Sequence, residues 1–242
     1  MLPRVLKGAR GVVAGATGTV GEVIGRELAG RGCELLAVGH SVERFVRSQD
    51  WAVQTCAWDC TAPKGAADLL ERELAAFCSG GQALHFAINC TGAGGWWETA
   101  EMPLEHWNLL LQVNLTSAFL LTRAVLPHMS GIGGVVVHVS SDAAHRCKPF
   151  SAAYSGCKAG LEAFARSVDR EVTPQGIRVY CRTPRQHIRG RFVENALARS
   201  GLAPRLVRED SSRELDSVAL QMFADSIISL LERNFSVLKP ET

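Results

Sequence analysis

The sequence predicts an α/β fold, a doubly wound parallel sheet with helices on both faces, in a single domain. Three observations predict it. Short β-branched or apolar runs alternate with longer stretches of helical periodicity along the whole chain, the pattern of repeated β-α-β units. No linker, repeat or low-complexity segment breaks the alternation, so residues 1–242 read as one domain. With 242 residues, 47% of them hydrophobic, the chain is long enough to bury one large core.

The candidate strands are, in order, "GVVA" (11–14), "ELLAV" (34–38), "WAVQTC" (51–56), "LHFAIN" (84–89), "GVVVHVS" (134–140) and "IRVYC" (177–181). Between the first two, Val20, Val23, Ile24 and Leu28 fall at helical spacing, and Gly30 with Gly32 marks the stop. "AADLLERELAAF" repeats that pattern between the third and fourth. "EHWNLLLQVNLTSAFLLTRAVLPHM" is apolar almost all round, as expected of a helix buried between a sheet and a neighbour. A last helix is expected at about 217–232, and "FSVL" after it as a short final strand.

Charged residues make up 21% and the formal charge is +2, an ordinary balance that asks for neither nucleic acid nor a membrane surface as partner. Runs such as "GGVVVHV" are too short to span a bilayer, and "MLPRVLKGAR" lacks the apolar stretch of a secretory signal. The eight cysteines form no C-x-x-C pair and no metal-ligand spacing, so they read as reduced thiols of a cytoplasmic protein without a metal site.

Sheets of this kind bind ligands at the carboxyl ends of their strands. The first strand runs into "AGATGTVG", where Gly15, Gly18 and Gly21 stand three apart at a strand-to-helix turn. Open amides at a helix start, with glycines that allow close approach, suit a pyrophosphate. Gly15, Thr17, Gly18, Thr19, Val20 and Gly21 are therefore candidate dinucleotide contacts. An enzyme preferring NAD usually has an acid at the end of the second strand; Val38, Gly39, His40 and Ser41 contain none. His40 and Arg44 suit a 2′-phosphate instead, although His40 also fits a plain surface histidine. Asp59 in "WDCT" either accepts from an adenine amine or caps the next helix. "INCTGAGG" supplies Asn89 and Gly92, and "HVSSDAA" supplies Ser140 and Ser141. Thirteen residues past Ser141 comes Tyr154, and four past that Lys158, on one helix face.

Taken in order, these motifs over roughly residues 5–185 resemble the short-chain dehydrogenase/reductase family. "AGATGTVG" is similar to its cofactor loop, "DCT" (Asp59, Cys60) to its adenine-contacting segment, and "NCTG" (Asn89 to Gly92) to its N-N-A-G turn. Asn114 in "VNLTSAF" matches the helix asparagine, Ser141 the substrate-orienting serine and "YSGCK" the Y-x-x-x-K pair. "IRVYCRTP", ending in Pro184, resembles the segment that closes over the nicotinamide. The resemblance implies a Rossmann fold and hydride transfer between a nicotinamide and a carbonyl or alcohol carbon. Tyr154 would be the acid/base. Lys158 would lower its pKa from near ~10 and hold the nicotinamide ribose. Ser141 would orient the carbonyl, and Asn114 would keep a water for proton resupply.

Departures from the pattern accompany it. Thr19 and Ala14 alter the glycine loop, Cys90 and Thr91 the fourth-strand turn, Tyr180 a usual asparagine, and Arg185 a usual glycine. A substrate lid is expected at about 185–216, with arginines at 185, 189, 191, 199, 205, 208 and 213 either attracting an acidic substrate or simply solvated. Trp96 and Trp97 either wall the substrate pocket or pack beneath the lid. The expectation is an NADP(H)-preferring oxidoreductase, with NAD(H) possible, acting on a small carbonyl or acyl substrate such as a ketone or 3-oxoacyl group. The resemblance further implies a homodimer or homotetramer, paired through the long helix and the helix bearing Ala159, Ala163 and Phe164. The rival is a nucleotide-binding scaffold or sensor without turnover, suggested by Arg185 and the short end.

Overall fold

The computed structural model describes residues 5–40, 45, 50–184, 195, 196, 198, 200, 201 and 217–238, without the side chains at 63, 64, 237 and 238. Arg44 and the arginines expected in the lid, Arg185 among them, lie outside the described residues.

Six strands form one parallel sheet in the order β3-β2-β1-β4-β5-β6. They are β1 (Arg10–Ala14), β2 (Glu34–Gly39), β3 (Gln54–Ala57), β4 (Phe86–Asn89), β5 (Gly134–Val139) and β6 (Ile177–Arg182). The helices are α1 (Thr19–Gly30), α2 (Pro63–Phe77), α3 (Leu104–Leu111), α4 (Ser117–Met129), α5 (Ala143–Arg146), α6 (Ala152–Val172) and α7 (Ser217–Leu238). Alternation along each strand divides the core in two. Val12, Ala14, Leu36 and Val38 face a layer built on α2, α4 and α6. Val13, Leu35, Ala37, Ile88 and Val137 face α1 and α7. The strand order reverses between β1 and β4, which puts the switch-point crevice at Gly15 and Cys90.

Three elements differ from the sequence expectation. The third strand begins at Gln54 because Trp51 leaves the sheet for α1, where a Cβ on Gly25 would come within 2.4 Å of its ring. The "FSVL" segment is helical: α7 continues to Leu238, holding Phe235 in the core, and β6 has no further strand beside it among the described residues. The long helix is split by a π turn, Gln112–Thr116, which carries Asn114. By length and composition alone Leu104–Met129 is apolar enough to cross a bilayer. In the fold, half of its most apolar window is buried, with Leu120, Leu121, Val125 and Met129 in the sheet layer.

Candidate active site

The crevice is built from backbone brought close by glycine. Gly15 has φ +76°, and a Cβ there would lie 2.7–2.8 Å from the backbone of Cys90 and Thr91. A Cβ on Gly21 would lie 2.3 Å from the Gly15 carbonyl oxygen, so α1 starts in contact with the end of β1. Gly18 caps α1 without any side-chain hydrogen bond, so no side chain competes for the first-turn amides of Thr19, Val20 and Gly21. Thr17 packs beside Gly39, where a Cβ would approach its side chain to 2.8 Å. Glycine loop, second-strand end and fourth-strand turn therefore share one wall.

At the second and third strand ends, His40 Nδ1 is 3.8 Å from Asp59 Oδ1, both side chains more than half exposed. Asp59 accepts from the Thr61 backbone (2.9 Å) and hydroxyl (2.6 Å), and the hydroxyl bond is the main reason its carboxyl titrates below the ordinary value. The α2 N-cap is Ala62, so Asp59 makes a local turn and is not the helix cap. Cys60 turns its thiol into the core, where burial pushes it up to about 11; only its backbone is left to a ligand. At the fourth strand Asn89 is 2% exposed and accepts from the Thr91 N–H at 3.0 Å, while Gly92 is exposed.

Ser141 lies two residues past the end of the fifth strand, and α6 brings Tyr154 against it: the two hydroxyls are hydrogen-bonded to each other. Ser141 Oγ also accepts from the Ala143 N–H at 3.2 Å, which holds it at the start of α5. One turn along α6, Lys158 is 3% exposed and donates to the Val139 carbonyl at 3.0 Å. Its ammonium stands 5.7 Å from the Tyr154 ring centroid. Burial pulls Lys158 down to about 8. Burial also pushes Tyr154 up to about 12; the Ser141 hydrogen bond opposes this, and the Asp142 carboxylate adds to it. The lowered tyrosine pKa expected from the spacing is therefore not what this packing produces. Desolvation of the phenolate outweighs a cation that faces the ring and is bonded elsewhere.

Asn114 is fully buried, and both ends of its amide are hydrogen-bonded. Oδ1 accepts from the Ala93 N–H (3.2 Å), and Nδ2 donates to the Ala93 (2.8 Å) and Leu110 (2.9 Å) carbonyls. The side chain clamps the loop after β4 to the π turn. Both Nδ2 protons are given to protein carbonyls. Trp97 packs against Gly201, where a Cβ would meet its indole at 2.5 Å, and the Trp96 N–H donates to Ser200 Oγ at 3.0 Å. Tyr180 donates to Asn234 Oδ1 at 3.2 Å and so ties β6 to α7; Pro184, half-buried, follows that strand.

Three residues here were not among the expected site residues. Thr91 Oγ1 is buried at the crevice without a hydrogen-bond partner. Asp142 stands beside the Ser141–Tyr154 pair, held by Arg146 at 3.2 Å. His138, wholly buried on β5, contacts Asn89. Of the three, only Asp142 carried a signal, an acid next to the candidate serine. Among the described residues no group of three or more His, Cys, Asp or Glu is placed to hold a metal ion.

Residues 11–186 match the family model described as short chain dehydrogenase. Serine 3-dehydrogenase of Agrobacterium fabrum is 27% identical over 172 residues, covering 69% of this chain and 68% of its own. D-beta-hydroxybutyrate dehydrogenase of Rhizobium meliloti is 27% identical over 177 residues, 69% and 67% of the two chains. A short-chain dehydrogenase/reductase structure from Burkholderia xenovorans superposes with a TM-score of 0.79 at 23% identity, covering 96% of this chain and 93% of the other. The chain belongs to the short-chain dehydrogenase/reductase family, NAD(P)-dependent oxidoreductases that act on CH–OH and C=O groups.

Proposed function

We propose that the protein is an NADP(H)-preferring carbonyl reductase acting on a ketone or 3-oxoacyl group. The observation that carries this reading is the Tyr154 hydroxyl, hydrogen-bonded to Ser141 and one turn from the buried Lys158 ammonium, at the mouth of the glycine-lined crevice.

The crevice suits a dinucleotide. Gly15 and Gly21 stand where a side chain would collide with backbone, and the buried Thr91 hydroxyl has a hydrogen bond to give. Gly15, Thr17, Gly18, Thr19, Val20 and Gly21 would hold the pyrophosphate, Asp59 and Cys60 the adenine end, and Asn89, Gly92, Lys158 and Pro184 the nicotinamide half. A bound nicotinamide supplies the hydride. Tyr154 supplies the proton: with its pKa pushed up to about 12 it stays a phenol at neutral pH, ready to donate as an alkoxide develops. Ser141 orients the carbonyl oxygen toward Tyr154 Oη. Lys158 gives the pocket a positive charge that favours the phenolate left behind. Asn114 acts by clamping the Ala93 loop beside the site.

The NADP preference is supported by the absence of an acid at 38–41 and by the exposed His40. The segment 185–216 is read as the lid, because Ser200 and Gly201 sit over Trp96 and Trp97. A homodimer through α4 and α6 fits the half-exposed Phe119, which meets Phe164 edge-on at 6.5 Å. Cysteines all in the thiol form fit a reducing cytoplasm.

The test is a fluorescence titration with NADPH and with NADH, followed by NADPH oxidation over a panel of ketones and acyl thioesters. Tighter NADPH binding and turnover of a member of the panel are expected. Tighter NADH binding would overturn the NADP preference, and binding of neither would overturn the reductase reading.

A further inference from the structure

We infer that His138 is a positioning residue, which fixes the amide of Asn89 and through it the Thr91 turn of the crevice. The functional consequence rests on the dinucleotide reading above; the geometry stands without it.

His138 is directly opposite Asn89 in the β4–β5 register. Its hydrogen bonds belong to a chain of four whose direction is forced. The Thr91 N–H can only donate, and it reaches Asn89 Oδ1 at 3.0 Å. Asn89 must then present Nδ2, also only a donor, to His138 Nδ1 at 3.4 Å. Nδ1 is therefore the acceptor, and the ring proton sits on Nε2. That nitrogen faces Thr122 Oγ1 at 3.1 Å, and the Thr122 hydroxyl has already given its proton to the Ala118 carbonyl at 2.7 Å. Thr122 thus offers a lone pair to Nε2–H. The tautomer follows from this network, and each atom in it meets its complement.

Phe164 closes the site edge-on, 6.0 Å from the imidazole centre. Burial keeps the ring neutral, which preserves the Nδ1 lone pair. Without an acceptor at that point, the Asn89 amide loses the contact that decides which end faces Thr91. A flipped amide sets donor against donor at the Thr91 N–H. That amide is part of the backbone to which a Gly15 Cβ would approach within 2.8 Å, so the disturbance falls on the crevice floor.

Two substitutions divide the ring between its nitrogens. In His138→Asn the side-chain oxygen can take the place of Nδ1, while the contact to Thr122 is lost. In His138→Gln the amide reaches toward Thr122, while Asn89 is left without its acceptor. Amide hydrogen exchange at Thr91, followed by NMR on protein without nucleotide, should accelerate about tenfold in His138→Gln, the worth of one buried hydrogen bond. In His138→Asn it should stay within about twofold of wild type. The NADPH dissociation constant should follow the same order, and the difference should vanish in an Asn89→Ala background. Equal Thr91 exchange in the two variants, or losses that track only the thermal midpoint, would overturn the inference. Wild-type protein that binds no dinucleotide would overturn the functional reading instead, and Thr91 exchange would still decide the role of His138.

Discussion

Lys158 follows Tyr154 by one helical turn, yet its ammonium lies over the ring, 5.7 Å from the centroid, and donates to the Val139 carbonyl. The cation therefore faces the ring, and burial decides the resting charge states. Tyr154 goes up to about 12 and Lys158 down to about 8, so both are mainly protonated at neutral pH.

From this pairing, Tyr154→Phe removes the hydroxyl bonded to Ser141 and keeps the ring packing. Carbonyl reduction should fall by roughly 10²–10⁴-fold while NADPH affinity changes by less than about twofold. Steady-state rates and a binding titration check this, and a fully active phenylalanine variant would sink the mechanism. Lys158→Met should lose both activity and cofactor affinity. It should not lower the thermal midpoint at pH 7, because relief of a buried charge offsets the hydrogen bond lost at Val139.

Asp142 is the acid that stands nearest this pair, and its carboxylate helps to raise Tyr154. In Asp142→Asn that repulsion is gone, so Tyr154 should titrate at lower pH. Alcohol oxidation, which needs the phenolate, should then rise at lower pH than in wild type. Reduction, which needs the phenol, should begin its alkaline decline earlier. The ion pair with Arg146, whose own side chain is exposed, is also lost, which changes stability little. Superimposable pH–rate profiles for wild type and variant would show that Asp142 does not reach the tyrosine.

Much of the fold was legible because hydrophobic alternation and glycine placement are local signals. All six strands overlap the runs expected to form them, the third only from Gln54 on, and Gly15, Gly18 and Gly21 mark the crevice. What the sequence could not show depends on three-dimensional contacts. Trp51 reads as a strand residue, but a glycine 26 positions earlier makes room for it on α1. "FSVL" has strand-like residues, but Phe235 is drawn into the α7 face of the core. Asn114 was expected as a site residue from its motif. The engagement of its amide by Ala93 depends on a loop whose path is not written in the pattern. The spacing of Tyr154 and Lys158 shows that they share a face, whereas the balance of burial against charge requires the packed site.

The glycine contacts give a paired prediction. A Cβ on Gly21 would lie 2.3 Å from the Gly15 carbonyl oxygen, whereas one on Gly30, at the other end of α1, meets nothing within 4 Å. Gly21→Ala should push α1 off the end of β1, costing roughly 1–3 kcal/mol, and weaken NADPH binding by about tenfold or more. Gly30→Ala in the same helix should be neutral or stabilise by up to about 1 kcal/mol. Denaturant unfolding of both variants is the check; equal stability would mean that contact at the first turn is not needed.

Acid sensitivity should trace to His138. Burial, with a smaller contribution from the Lys158 charge, lowers its pKa from 6.5 to about 3. The ring's contacts among the described residues, Asn89, Thr122 and Phe164, are all uncharged, and none is a carboxylate that could accept from an imidazolium. A base whose folded pKa is depressed binds its proton first in the unfolded chain. Its stabilising contribution is therefore complete above pH 6.5 and is lost progressively as pH falls toward 3. From pH 7 to pH 4.5 the loss from this one group should be roughly 3 kcal/mol. Asp59 and Asp169, with lowered carboxyl values, weaken the fold at more acid pH, and half-exposed His128 adds a smaller loss of the same sign. Urea unfolding at pH 7 and pH 4.5 should show most of this slope disappearing in His138→Asn, even if that variant is less stable at pH 7. An unchanged slope would mean that His138 gains its proton without unfolding the site, and that the neutral ring is not what holds the chain from Thr122 to Thr91 together.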